Sequence, residues 1–162
     1  MKFAVISDTH DNIANFNKVI DFLNKENIKV LLHCGDICNQ GVINEAVKNF
    51  KGEVQFVRGN GDYHLEKVPD TLELDVGGKK VAVAHYPDLA KKLAESGKYD
   101  LVFYGHTHRP WLDRLSFSDG GEEKICLLVN PGELAGQRYK PCFALYDTQT
   151  DKLELKILER LD

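Results

Sequence analysis

The 162-residue chain reads as an α/β protein, a mixed sandwich with two sheets packed together and helices outside. Three observations point there. Residues 2–57 alternate strand and helix patterns, the order expected of parallel strands joined by crossover helices. Residues 72–84 carry a hairpin signal, two apolar runs around Gly77-Gly78. Beyond Pro110 the chain is mostly strand-like. No internal repeat, linker or low-complexity tract interrupts it, so residues 1–162 read as one domain.

Each element has a local reason. Lys2 to Ile6 is an apolar run of strand length. Asn12 then caps a helix whose apolar residues Ile13, Phe16, Val19, Ile20 and Leu23 recur at helical spacing. Val30-Leu31-Leu32 is a second buried strand. A second helix pattern covers Val42 to Phe50, with Ile43, Ala46, Val47 and Phe50 on one face, and Val54 to Val57 is the third strand. Leu72 to Val76 alternates, Gly77-Gly78 turns, and Val81 to Ala84 returns. Pro87-Asp88 opens a third helix and Gly97 ends it. Leu101 to Tyr104 is another buried strand. Strands follow at Trp111 to Phe117, Ile125 to Val129, Phe143 to Tyr146 and Leu153 to Leu158, the first pair joined by a polar turn at Ser118 to Glu123.

The chemistry sits where strands end. Asp8 and His10 follow the first run, Asp36 the second, Asn60 the third, His85 the fourth, and His106 and His108 the fifth. In open α/β sheets, ligands gather at the carboxyl ends of strands, so residues far apart in sequence converge there. Residues two apart in an extended segment share a face, which lets Asp8 with His10, and His106 with His108, each aim at one point. Glycines 35, 59 and 105 precede candidate ligands. Two carboxylates, one amide oxygen and four imidazoles suit two divalent cations sharing a carboxylate, a centre fitted to splitting phosphate esters.

Bulk properties narrow the field. Net charge is −4, with no basic footprint for long nucleic acid. No apolar run approaches the ~20 residues a bilayer span needs. The N-terminal run leads straight into Asp8, so it reads as a strand and not as a cleaved signal. Cys34, Cys38, Cys126 and Cys142 lie within or beside apolar runs without zinc-finger pairing, the usage of a reduced cytoplasmic protein.

The ordered set Asp8-Thr9-His10, Gly35-Asp36, Gly59-Asn60, His85 and Gly105-His106-Thr107-His108 resembles the calcineurin-like metallophosphoesterase superfamily. Short length and the Asn130-Pro131-Gly132 loop make it most similar to small prokaryotic phosphodiesterases of the YfcE type. The resemblance implies a four-layer α/β/β/α sandwich with two mixed sheets. It also implies Asp8, His10 and His108 for one metal, Asn60, His85 and His106 for the other, and Asp36 bridging. Manganese is favoured, with nickel, iron, cobalt and zinc open.

Two positions depart from the pattern. Gly61 stands where many relatives carry the histidine that protonates the leaving group, and His85-Tyr86-Pro87 replaces His-Gly-His. Arg58 is a candidate phosphate grip, or a strand-end arginine paired with an acid. His64 stands as a replacement acid or as a solvated loop histidine. Glu133 reads as a surface or interface acid, and Trp111 as core or interface in preference to a base-stacking platform.

The expected activity is hydrolysis of a small phosphodiester by a bridging hydroxide in a dinuclear centre. Phosphomonoesterase is a rival within enzymes, and a scaffold resembling the retromer sorting subunit is the rival outside them. A homodimer is a further expectation, formed through the β-rich C-terminal third.

Overall fold

A computed structural model describes residues 1–119 and 122–161. The element order is β1 (Lys2–Ile6), α1 (Ile13–Lys25), β2 (Val30–His33), α2 (Gln40–Asn49), β3 (Glu53–Phe56), β4 (Thr71–Val76) and β5 (Lys79–Ala84). Then come α3 (Pro87–Glu95), β6 (Leu101–Phe103), β7 (Trp111–Asp119), β8 (Glu122–Asn130), β9 (Cys142–Asp147) and β10 (Lys152–Ile157). Short 3₁₀ turns lie at Asn60–Asp62 and Leu158–Arg160. Of the polar turn expected at Ser118 to Glu123, Ser118 and Glu123 pair within β7 and β8; residues 120 and 121 lie outside the described residues.

Among the described residues the strands form two five-stranded sheets, ordered β10-β9-β1-β2-β3 and β4-β5-β6-β8-β7. β1, β2 and β3 run parallel, as the crossover helices require, with β9 and β10 added antiparallel. In the second sheet β5, β6 and β8 are parallel, and β4 and β7 are antiparallel edges. The Gly77-Gly78 turn has φ of 58° and 83°, the left-handed pair a two-residue hairpin needs.

Side-chain alternation sorts the apolar residues into three cores. Phe3 and Val5 face Leu32, Val81, Val83 and Phe103 between the sheets. From the same strands Ala4 and Ile6 face α1 and α2, packing on Phe16, Val19, Ile20 and Leu23. Ala82 and Ala84 point the other way, onto Ala90 and Ala94 of α3, where small residues let the helix approach closely. The result is four layers, α/β/β/α, as expected. Asn12 caps α1, accepting from the Asn15 N–H at 3.1 Å, and its Nδ2 donates to the Ala135 carbonyl at 2.9 Å. Pro87 opens α3, and Gly97 follows it with φ of 69°.

α2 corrects one expectation. Of the expected apolar face, Ala46 and Phe50 are buried, but Val47 is 75% exposed, and Val42 is buried in its place. The helix begins at Gln40, and Val42, Ile43 and Ala46, with Phe50 just after it, meet the core while Val47 turns outward.

Two substitutions test this packing. Phe103→Ala, which removes a fully buried ring packed edge-on to Phe3, is expected to cost about 3–5 kcal/mol in urea unfolding. Val47→Ala is expected to change stability by less than about 0.5 kcal/mol. A large loss at Val47 would contradict the observed orientation of α2.

Candidate metal centre

The carboxyl ends of β1, β2, β3, β5 and β6, with the turns after them, bring the seven candidate ligands to one edge of the sandwich. The chain turns sharply there. Asp8, His10, Asp36, His106 and His108 all have left-handed backbone, with φ between 42° and 69°. Such a conformation costs a non-glycine residue about 1 kcal/mol or more, and Asp, Asn and His tolerate it best. Backbone hydrogen bonds hold these turns: Asp8 N–H to Gly35 O at 2.9 Å, and His10 N–H to Asp36 O at 3.1 Å. Gly59 is needed for close approach, because a Cβ there would collide with Asp36 Oδ1 and the Asp36 backbone nitrogen.

The donor atoms fall into two overlapping groups. Asp8, His10 and His108 each offer an atom within 4.8 Å of the other two, and so do Asp8, Asp36 and His85. His10 Nε2 lies 3.5 Å from Asp36 Oδ2 and 3.2 Å from His108 Nε2. His85 Nε2 lies 3.5 Å from Asp36 Oδ1 and 3.1 Å from Asn60 Oδ1. His106 Nδ1 reaches the same Asn60 oxygen at 2.9 Å. All seven residues are therefore brought together.

Two tautomers are fixed by partners that can only accept. His85 Nδ1 donates to the Cys34 carbonyl and His108 Nδ1 to Glu133 Oε2, both at 2.8 Å. Each leaves its Nε2 lone pair toward the cluster. His85 Nε2 meets Asp36 Oδ1, and His108 Nε2 meets Asp8 Oδ1, each at 3.5 Å. Two electron-rich atoms face each other in both places. Donors sharing a cation at ~2.1 Å stand roughly 3–3.5 Å apart, so the separations fit common ions. Burial pushes Asp8 up to about 7, with Asp36 adding to the push against hydrogen bonds and His108. Burial lowers His10 and His85, favouring the neutral imidazole that ligates.

Residues 1–151 match the family described as the calcineurin-like phosphoesterase superfamily domain. The chain belongs to that superfamily. A relative from Methanocaldococcus jannaschii, phosphodiesterase MJ0936, is 29% identical, covering 98% of this chain and all of that one. A solved structure of a novel archaeal phosphodiesterase superposes with a TM-score of 0.81 at 28% identity, over 97% of this chain and 99% of that one. Two more distant structures share the fold. The phosphoesterase YfcE from E. coli has a TM-score of 0.69 at 18% identity, over 100% and 96% of the two chains. Entamoeba histolytica Vps29 complexed with Zn²⁺ has 0.70 at 19%, over 98% and 99%.

Around this cluster, three buried groups escaped the sequence reading. Glu133, expected as a surface or interface acid, is fully buried. Besides His108, it accepts the backbone N–H groups of Gln137 (3.1 Å), Arg138 (2.6 Å) and Tyr139. Burial raises its pKa, but these donors outweigh burial and hold the carboxyl below its ordinary range. Asp62 is buried too, accepting Cys38 N–H at 2.6 Å and Gly59 N–H at 2.8 Å, and so ties the Asp36 turn to the Asn60 turn. His33 accepts from Gly35 N–H at 3.1 Å and donates through Nε2 to Thr9 Oγ1 at 2.8 Å. An acid two residues past Asn60 and another after Asn130-Pro131-Gly132 were visible signals; nothing in their spacing marked them as buried.

The remaining candidates stand differently. Arg58 donates through Nε (2.9 Å) and Nη2 (2.7 Å) to Asp70 Oδ1, the pairing weighed as its alternative. His64 is exposed, its ring edge-on to Tyr63. Tyr86 packs against the His85 and His106 rings, as a pocket wall would. Cys38 Sγ lies 3.5 Å from His10 Nδ1.

His33 supplies a pH test. Burial lowers its pKa from 6.5 to about 3. Between those values the unfolded chain binds the extra proton, so stability rises with pH there and falls as pH drops from about 6.5 toward about 3. Urea unfolding in chelator should show a shallower decline over that window for His33→Gln than for wild type. Identical slopes would contradict a neutral, buried His33.

Proposed function

We propose that this protein is a metal-dependent phosphodiesterase. Asp8, His10 and His108 would hold one divalent cation, Asn60, His85 and His106 the other, with Asp36 shared. The observation that supports this best is the Asp36 carboxylate, which turns Oδ2 toward His10 and Oδ1 toward His85, each at 3.5 Å. When bound, the two ions supply an acidified water and offset charge on the phosphoryl oxygens. Manganese is the first ion to test, since mixed N/O donors accept several metals and availability decides.

The chain's own residues have separate tasks. Glu133 and the Cys34 carbonyl keep His108 and His85 in the tautomers that present Nε2. Asn60 contributes an oxygen without charge, which leaves its side of the centre more attractive to an anionic ester. Gly61 donates its N–H to Asp36 Oδ1 at 2.8 Å and has no side chain to give a proton. Solvent, or His64 if its loop turns inward, protonates the leaving group. Arg58 reaches phosphate only by leaving Asp70, a small cost, since such solvent-facing pairs contribute about 0–1 kcal/mol.

The substrate is a small diester, in keeping with the −4 net charge. All four cysteines are free thiols, which supports a reducing, cytoplasmic setting. Among the described residues no helix is long and apolar enough to cross a membrane. The fold shared with Vps29 keeps a scaffold as the second reading.

Chelator-treated protein given manganese should hydrolyse bis-p-nitrophenyl phosphate faster than the matched monoester and bind about two ions per chain. Asp36→Asn should lower metal content and cut kcat on the order of 100-fold or more. A rate insensitive to chelator would defeat the metal reading. Stoichiometric metal without turnover on any ester would favour the scaffold.

A further inference from the structure

We propose that Cys38 is a positioning residue for His10: its sulfur accepts the imidazole Nδ1–H and so turns the Nε2 lone pair toward Asp36 and the cation it would share. This rests on the metal reading above and adds to it a residue outside the seven candidate ligands.

An imidazole that ligates through Nε2 carries its proton on Nδ1, and that N–H needs an acceptor. His108 has Glu133 and His85 has the Cys34 carbonyl. His106 differs, since its Nδ1 is the atom that reaches Asn60 Oδ1. His10 belongs with the first two. Its Nε2 points into the cluster, 3.5 Å from Asp36 Oδ2 and 3.2 Å from His108 Nε2. Across the ring, the group that meets Nδ1 among the described residues is the Cys38 thiol, with Sγ at 3.5 Å. Sulfur is a large atom, so that separation lies within hydrogen-bonding reach, although it accepts more weakly than oxygen.

The turn holds the sulfur in that place. Cys38 has left-handed backbone, with φ of 67°, and its N–H donates to Asp62 Oδ1 at 2.6 Å. Asp62 is fully buried and also accepts Gly59 N–H, so the segment carrying Cys38 is tied to the one carrying Asn60. Gly61 leaves the sulfur its room, because a Cβ at 61 would stand 2.6 Å from Cys38 Sγ. A side chain at 61 and a sulfur against His10 therefore exclude each other. Gly61 and Cys38 act as a pair, and the lack of a side-chain acid at 61 is the counterpart of the contact with His10.

Packing does not account for this thiol. Cys34 and Cys126 sit within the apolar cores, whereas Cys38 is only partly buried and joins none of the three. Its neighbours are a candidate ligand and the glycine that makes space for it. The His10 side chain is 21% exposed, so water can take the sulfur's place when it is removed, which keeps the expected effect modest.

Zinc titration of chelator-treated protein by calorimetry tests this without turnover. Cys38→Ala should weaken one of the two ions about tenfold and leave the other unchanged. Cys38→Ser, whose hydroxyl still accepts, should lose less. Gly61→Ala, by pushing the sulfur aside, should weaken the same ion, and unaltered binding in that variant would contradict the pairing of Gly61 with Cys38. In a His10→Ala background, Cys38→Ala should leave the remaining zinc binding as it is, because the thiol acts through His10. A further loss in that background, equal losses from Cys38→Ala and Cys38→Ser, or no loss from Cys38→Ala alone would each overturn the inference and leave the metal reading intact. So would a thiolate-to-metal charge-transfer band in cobalt-loaded protein that Cys38→Ser abolishes, since Cys38 would then be a ligand itself. Wild-type protein that binds no zinc would instead defeat the metal reading, and this inference with it.

Discussion

Two buried carboxylates facing imidazole lone pairs set the terms for this end of the molecule. Asp8 and Asp36 are almost wholly inaccessible, and His85 and His108, each engaged at Nδ1 by an acceptor, turn Nε2 toward them. Like polarity gathered in a dry place is unfavourable unless something positive shares it. The fold keeps the cluster together with left-handed turns, backbone hydrogen bonds between them and glycines that admit close approach. A cation bound there would relieve that cost, turning each repulsive contact into a shared bond.

Holding such an arrangement needs a rigid frame. The two sheets pack through Phe3, Leu32, Val83 and Phe103, so strand ends from different parts of the chain cannot drift apart. A further ring of buried polar groups then aims the ligands. Asp62 ties the Asp36 turn to the Asn60 turn, and Glu133 ties His108 to the backbone at 137–139.

Much of this was legible in the amino-acid order, because it depends on local signals. Gly77-Gly78, Pro87 and Asn12 announce a turn, a helix start and a cap, and each performs that role. The seven candidate ligands were legible because each closes an apolar run, and strand ends meet. What stayed hidden depends on the tertiary surroundings of single residues. Glu133 looks like any loop acid until three backbone N–H groups and an imidazole surround it. Val47 fits a helical apolar stripe, but the stripe that packs is set by where α2 meets the sheet. Arg58 was balanced between phosphate and an acid, and only geometry shows Asp70 within reach.

The most direct test of the shared carboxylate is anomalous diffraction from a crystal grown in excess manganese. Two peaks flanking Asp36, one beside His10 and His108 and one beside His85, are the expected result. A single peak, or density only at sites remote from Asp36, would contradict the dinuclear account.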